Sequence, residues 1–341
     1  MFPLQMKRTV IVGQGHNASV CQGIARGIRQ AYNSPHYLNK GGFMGFAPHG
    51  IVPAMVTPLD KDDNVNEQVL RDLVDHLIAQ GVHGVFALGS QGEYFALDIN
   101  EKRTVMETTI DATKGRVPVY IGTGATTTRE AVLLTRMAEE CGADAVSVIT
   151  PSFISPNQDE LYEHYVTVAR ATRLPVLLYT NPARTGINVS IGLAKRLAAI
   201  DNIVGIKDSS GDLTQTATFI NDTPESFQVL AGRDTLILAT LLYGGAGSIA
   251  ATGNVAAALI VSIYEHYMAG DIPAARQAQR RLAPLRSAFG LGTFPQVIKE
   301  ALQMIGIDAG PSRRPVGPLS DSARAELRRV LTDLDLLAEG K

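Results

Sequence analysis

One lysine in this chain is placed unlike the rest. Lys207 closes the apolar run Ile203-Val204-Gly205-Ile206-Lys207-Asp208, whereas the other eight lie in polar turns, on predicted helix faces or at a terminus, where a solvated charge is expected. An amine set among apolar residues loses hydration, which lowers its pKa and enlarges the fraction present as the neutral nucleophile. Such an amine can condense with a ketone to form an imine. It can equally pair with Asp208 or another carboxylate, and position alone leaves both readings open. Tyr179, near the end of the run Leu177-Leu178-Tyr179-Thr180-Asn181, is of a type that can pass protons to and from a carbinolamine, although a tyrosine there can also simply pack. The segment Gly89-Ser90-Gln91-Gly92-Glu93 ends another apolar run. Its glycines let backbone N–H groups turn toward an anion and Ser90 adds a hydroxyl, which makes a nest for a carboxylate or, with the same residues, a tight turn.

Metal chemistry has little to work with. Of seven histidines, His49 and His83 precede apolar runs, His76, His164 and His266 fall in helical stretches, and His16 and His36 lie in the first 43 residues. No H-x-H or H-E-x-x-H spacing occurs, so no metal site is expected. Two cysteines, Cys21 and Cys141, cannot build a disulfide framework or a cysteine zinc site, which favours a reducing compartment.

With 31 basic against 33 acidic side chains and 45% hydrophobic residues among 341, the chain is too apolar to be disordered and lacks the basic excess that nucleic acid or an anionic membrane attracts. No apolar stretch approaches the roughly 20 residues of a membrane span. These features predict a soluble, cytoplasmic protein with a small-molecule partner, no nucleic acid and no membrane.

The elements that must position Lys207 and Tyr179 follow from a repeating rhythm of apolar run, polar turn and amphipathic stretch. Runs at Gly50–Pro58, Gly84–Gly89, Val117–Gly124, Asp144–Thr150, Pro175–Asn181, Ile203–Asp208, Gln228–Gly232 and Gly247–Thr252 alternate little, as parallel strands covered on both faces do. Asn66–Gln80, Arg129–Cys141 and Gln158–Ala171 carry apolar residues at helical spacing. Eight such units over about 220 residues predict an α/β fold, a (β/α)8 TIM barrel, in preference to a doubly wound sheet. In a barrel, residues at the C-terminal strand ends carry the chemistry, and Lys207, Tyr179 and Ser90 all fall there. The expected organisation is an N-terminal extension over 1–43, accessory or mispredicted, a barrel over 44–269 and a C-terminal helical extension over 270–341 that includes Ala274–Phe289, Phe294–Ile305 and Ser320–Ala338. Gly13-x-Gly15-x-x-Ala18 mimics a dinucleotide fingerprint, but no second strand with an acidic residue follows it, so no such cofactor is expected.

Three segments together resemble the dihydrodipicolinate synthase/N-acetylneuraminate lyase family of class I, pyruvate-dependent aldolases, from about Gly50 to the C-terminus. Its Gly-Ser/Thr-Thr/Ser-Gly-Glu motif is similar to Gly89–Glu93, with Gln91 at the third place. Its tyrosine motif is similar to Tyr179-Thr180-Asn181-Pro182-Ala183-Arg184-Thr185-Gly186, and its lysine motif to Gly205-Ile206-Lys207-Asp208. The resemblance implies a Schiff base between Lys207 and the C2 carbonyl of pyruvate or a related 2-oxo acid, whose enamine adds to an aldehyde or forms by cleavage of a C3–C4 bond. It implies that Lys207, Tyr179 and Ser90 are catalytic. Ser90, Gln91, Arg184, Ile249 and Gly232 would bind substrate, with no metal, nucleotide or pyridoxal cofactor, in a homotetramer.

Arg184 follows the synthase pattern, in which an arginine holds the carboxylate of aspartate semialdehyde; a guanidinium pairs bidentately with such a group. Phe153 departs from it: the synthases have a tyrosine there, offered across a subunit interface to a proton relay, and phenylalanine has no hydroxyl. Tyr94, Phe95, Ile99 and Lys102 replace the polar residues of the family's lysine feedback site, where Glu130 alone is kept. The expected activity is therefore a Schiff-base lyase or synthase of 2-keto-3-deoxy sugar acid or 4-hydroxy-2-oxo acid type. The alternatives are 4-hydroxy-tetrahydrodipicolinate synthase of lysine biosynthesis and a barrel that binds a 2-oxo acid without turnover.

Overall fold

The computed structural model describes residues 46–337. Its eight strands are β1 (Gly50–Pro53), β2 (Val85–Ala87), β3 (Val119–Gly122), β4 (Ala145–Ile149), β5 (Val176–Thr180), β6 (Ile203–Asp208), β7 (Gln228–Ala231) and β8 (Gly247–Ala250). All paired neighbours run parallel, in the order β1-β8-β7-β6-β5-β4-β3-β2. A parallel bridge between Ala54 and Phe86 closes the cylinder, with the Met55 N–H donating to the Phe86 carbonyl at 2.9 Å. The chain is a (β/α)8 barrel with appended C-terminal helices.

Alternation along the strands sorts side chains between the lumen and the helical ring. Val52, Phe86, Tyr120, Leu177, Leu230 and Ile249 form one small cluster inside the barrel. A much larger cluster lies between strands and helices. In helix Glu67–Ala79 the apolar stripe Leu70, Leu73, Val74, Leu77 is buried and the Asn66 side chain caps the first turn. Capping boxes on Asp98 and Asn157 start helices Ile99–Thr113 and Gln158–Arg170. These caps satisfy N–H groups that a helix start otherwise leaves unpaired. After the eighth unit, helices Ile272–Ala288, Gln296–Met304 and Asp321–Asp333 follow.

The first run is a shorter strand than its apolar length predicts, because beyond Pro53 a side chain takes over the pairing. Asn254 accepts from the Val56 N–H at 3.0 Å and donates to the Ala54 carbonyl at 2.7 Å. The predicted extension over 1–43 and its Gly13–Ala18 segment lie outside the described residues, as does the end of the last predicted helix at Ala338.

Candidate active site

Leu177 fills the lumen, and two residues further along β5 the same face presents Tyr179. On β6 the equivalent partner of Leu177 is Gly205, and that of Tyr179 is Lys207. A Cβ at position 205 would lie 2.1 Å from the Gln228 carbonyl oxygen, so β6 and β7 approach closely only because a glycine stands there. Lys207 is 4% exposed. Its Nζ sits 4.3 Å from the centre of the Tyr179 ring and 5.0 Å from that of Phe86. Burial pushes the amine below its ordinary pKa, against the opposing influence of Tyr179 and Asp234.

Asp208 is not the counter-ion. One residue along the strand, it faces the helical ring, where its carboxylate accepts from the Thr216 hydroxyl at 2.7 Å and from the Ser210 N–H at 2.9 Å. Asp208 therefore does not pair with Lys207, and Asp234 is the carboxylate that acts on the amine, favouring its charged form.

The Tyr179 hydroxyl accepts from the Asn181 amide at 3.0 Å. Burial alone would raise its pKa, but the Lys207 amine and hydrogen bonds from Asn181, Ser90 and Ser209 outweigh burial and lower it. A phenol beside an amine, each held below its ordinary pKa, is suited to shuttling a proton at an imine-forming centre.

The turn after β2 carries Ser90 and Gln91. It is bracketed by two non-glycine residues in the left-handed region, Leu88 (φ 56°) and Glu93 (φ 55°). The Thr57 hydroxyl donates to the Gly92 carbonyl at 2.7 Å, and the Gly92 and Glu93 N–H groups close the turn onto the Gly89 and Ser90 carbonyls. The N–H groups of Ser90 and Gln91 have no acceptor among the described residues. Two adjacent free N–H groups beside the Ser90 hydroxyl make a site for a carboxylate. The Gln91 side chain is buried, and neither its oxygen nor its nitrogen has a partner among the described residues.

Ile249 is buried in the lumen cluster beneath these groups. Gly232 follows β7, and a Cβ there would lie 2.0 Å from Ser209 Oγ, the hydroxyl that bonds Tyr179. Arg184 is exposed, with its guanidinium 4.5 Å over the Phe294 ring and no carboxylate partner among the described residues. Phe153 has φ 74° and is 98% exposed, so it takes no part in the mouth of its own barrel.

Two residues take places that sequence reasoning did not assign to them. Tyr94 lines the same cavity as Ser90 and Tyr179; its hydroxyl, bonded to Ser152, is pushed up to about 12 by burial with Tyr179 and Glu130 adding to it. Lys299, placed by its helical periodicity among the solvated lysines, is instead fully buried. Its Nζ pairs with Glu93 Oε1 at 2.6 Å, because the C-terminal helices pack over the turn that carries Glu93. Among the described residues, no group of three or more His, Cys, Asp or Glu side chains is gathered in a way that could hold a metal ion.

A lysine at the C-terminal end of β6 with a tyrosine on the adjacent strand defines an imine-forming lyase on a (β/α)8 barrel, the class I aldolase type. The Dihydrodipicolinate synthetase family matches residues 47–334, and the chain belongs to that family. A 4-hydroxy-tetrahydrodipicolinate synthase of Methanopyrus kandleri is 40% identical over 299 residues, which are 87% of this chain and 100% of that one. Among solved structures, YagE of E. coli, described as a prophage protein of the dihydrodipicolinic acid synthase family in complex with pyruvate, is 34% identical with TM-score 0.82; the match covers 84% of this chain and 99% of that one. Dihydrodipicolinate synthase of Aquifex aeolicus is 31% identical with TM-score 0.83, over 86% and 100% of the two chains.

Proposed function

We propose that Lys207 forms an imine with the C2 carbonyl of pyruvate and that the derived enamine adds to aspartate semialdehyde, the reaction of a 4-hydroxy-tetrahydrodipicolinate synthase. The juxtaposition of Lys207 Nζ with the Tyr179 ring in the barrel lumen carries the imine step. The neutral amine attacks the carbonyl carbon, Tyr179 returns a proton to the departing carbinolamine oxygen, and water leaves. Removal of a C3 proton gives the enamine. Ser90 and the N–H of Gln91 hold the pyruvate carboxylate, Ile249 and Gly232 shape the pocket, and no metal or organic cofactor takes part.

The aldehyde assignment is supported by Arg184, an exposed guanidinium stacked on Phe294 with no carboxylate partner among the described residues, and by the names of relatives at about 40% identity. A second reading, cleavage of a 2-keto-3-deoxy sugar acid or 4-hydroxy-2-oxo acid, is favoured by Phe153, which brings no hydroxyl to the site, and by Gln91. Coupled assays comparing pyruvate plus aspartate semialdehyde with 2-keto-3-deoxygluconate and 4-hydroxy-2-oxoglutarate separate them. Turnover of the first pair at the highest kcat/KM is the expected result; a higher value for either other substrate overturns the assignment.

The exposed Phe153 supports a neighbouring subunit bordering the site in a homotetramer, which sedimentation measures. No helix of the described residues is long and apolar enough to cross a membrane, and a cytoplasmic location accords with the two cysteines.

A further inference from the structure

The geometry points to Glu93 and Lys299 as positioning residues, a buried ion pair through which the C-terminal helices fix the turn that receives the substrate carboxylate. The inference rests on the reading of that turn as the pyruvate carboxylate site.

The turn from Gly89 to Gly92 needs holding, because the residues on both sides of it, Leu88 and Glu93, are in a backbone region that non-glycine residues avoid. Glu93 is held by both carboxylate oxygens. Oε1 pairs with Lys299 Nζ at 2.6 Å, and Oε2 accepts from the Arg313 N–H at 2.9 Å. Lys299, on helix Gln296–Met304, also donates to the Pro311 carbonyl at 2.8 Å. The side chains of Lys299 and Glu93 are 0% and 2% exposed.

Arg313 extends the clamp. Its guanidinium donates to the Ala96 carbonyl at 2.7 Å, to Glu101 Oε2 at 2.8 Å and to Asp63 Oδ2 at 3.1 Å. The segment that follows helix Gln296–Met304 is thereby tied to the loops after β1 and β2. None of these contacts involves Lys207 or Tyr179, so the network acts on the chemistry only through the turn.

A buried ion pair contributes little net stability compared with apolar packing, but two charges with fixed partners accept one arrangement and penalise others. Here that arrangement keeps the N–H groups of Ser90 and Gln91 together on one side of the turn. Loss of the cation leaves the Glu93 carboxylate buried with one partner gone, and the turn relaxes to resolvate it.

The test is the pyruvate dependence of borohydride trapping on Lys207, run beside steady-state kinetics, in the wild-type chain, in Lys299→Met and in the double variant Glu93→Gln/Lys299→Met. The double variant leaves no lone buried charge and supplies the measurement if the single one does not fold. The expected result is a rise on the order of tenfold in half-saturating pyruvate and in its KM, with kcat and the fraction trapped at saturation nearly kept. Lys299→Arg, which retains a cation, should recover part of the loss. A role in stability alone would lower the melting temperature and the active fraction without moving half-saturation. Unchanged half-saturating pyruvate in a folded variant therefore overturns the inference. Absence of any adduct in the wild-type chain is a different outcome, which removes the pyruvate reading and this inference with it.

Discussion

Tyr179 and Lys207 are cross-strand partners on β5 and β6, with the lysine Nζ 4.3 Å from the tyrosine ring centre. Each perturbs the other: Lys207 is among the groups that lower the Tyr179 hydroxyl, and Tyr179 is the leading influence opposing the burial of the amine. Replacing the hydroxyl alone, in Tyr179→Phe, keeps the ring and the packing. General acid–base catalysis by one side chain is worth about 10²–10⁴ in rate. The expected loss in kcat lies in that range; a loss below tenfold would show that another group moves the proton.

The same pair sets a pH dependence. Burial favours the neutral amine, so imine formation should rise with pH through a midpoint below the ordinary lysine value of 10.5. Tyr179 opposes this shift by favouring the charged amine. Its removal in Tyr179→Phe should therefore move the midpoint further down, not up. Initial rates of cyanoborohydride trapping with pyruvate across pH measure both midpoints, and an upward move in the variant contradicts the electrostatic account.

Gln91 holds a buried amide with no partner among the described residues. An unsatisfied buried polar group costs about 1–3 kcal/mol. Gln91→Met should thus stabilise the ligand-free protein by about 1 kcal/mol, within that range, while raising KM for pyruvate. Thermal melts with and without pyruvate check it: the variant should melt higher alone and gain less from the ligand. A lower melting temperature alone would mean that the amide has a protein partner in solution.

Gly232 stands where no side chain fits, 2.0 Å from Ser209 Oγ if a Cβ is added. Gly232→Ala must displace the Ser209 hydroxyl from Tyr179 or shift β7. Overpacking of this kind costs about 1–3 kcal/mol, and kcat should fall because one donor to the phenolic oxygen is lost. Adding Ser209→Ala to Gly232→Ala should recover only part of the stability, because the Asp208 carbonyl still lies 2.9 Å from the added Cβ, and should leave the kcat defect. Full recovery of kcat in the double variant would assign Ser209 no part in tuning Tyr179.

How much of this was legible in the sequence depended on whether local pattern and tertiary burial agreed. They agreed at Lys207, where an amine follows four residues of apolar strand, and at Tyr179, so the barrel and the placement of both residues on adjacent strands were legible, while their roles were not. They disagreed at Lys299. Helix Gln296–Met304 reads as amphipathic, yet nearly all its residues are buried because the segment around Pro311–Arg313 covers its polar face. Glu93 was legible as part of a motif but not as the anchor of a turn, since its partners lie more than 200 positions away. Tyr94 was legible only as the residue after the Gly89–Glu93 motif, set against the family's feedback site, and the folded loop brings it into the cavity with Ser90.

The family match spans residues 47–334, and 87% of this chain covers the whole of the Methanopyrus kandleri relative. A chain beginning at Met44 should retain kcat and KM. A large loss of activity in that shortened chain would give residues 1–43 a part in the site.

The most direct test of the lysine assignment is peptide mass analysis of the whole chain after borohydride reduction with pyruvate. One reduced 2-oxo acid adduct on the peptide containing Lys207, absent from Lys207→Ala and accompanied there by loss of turnover, is the expected result. An adduct on another lysine, or a Lys207→Ala variant that still turns over substrate, would contradict it.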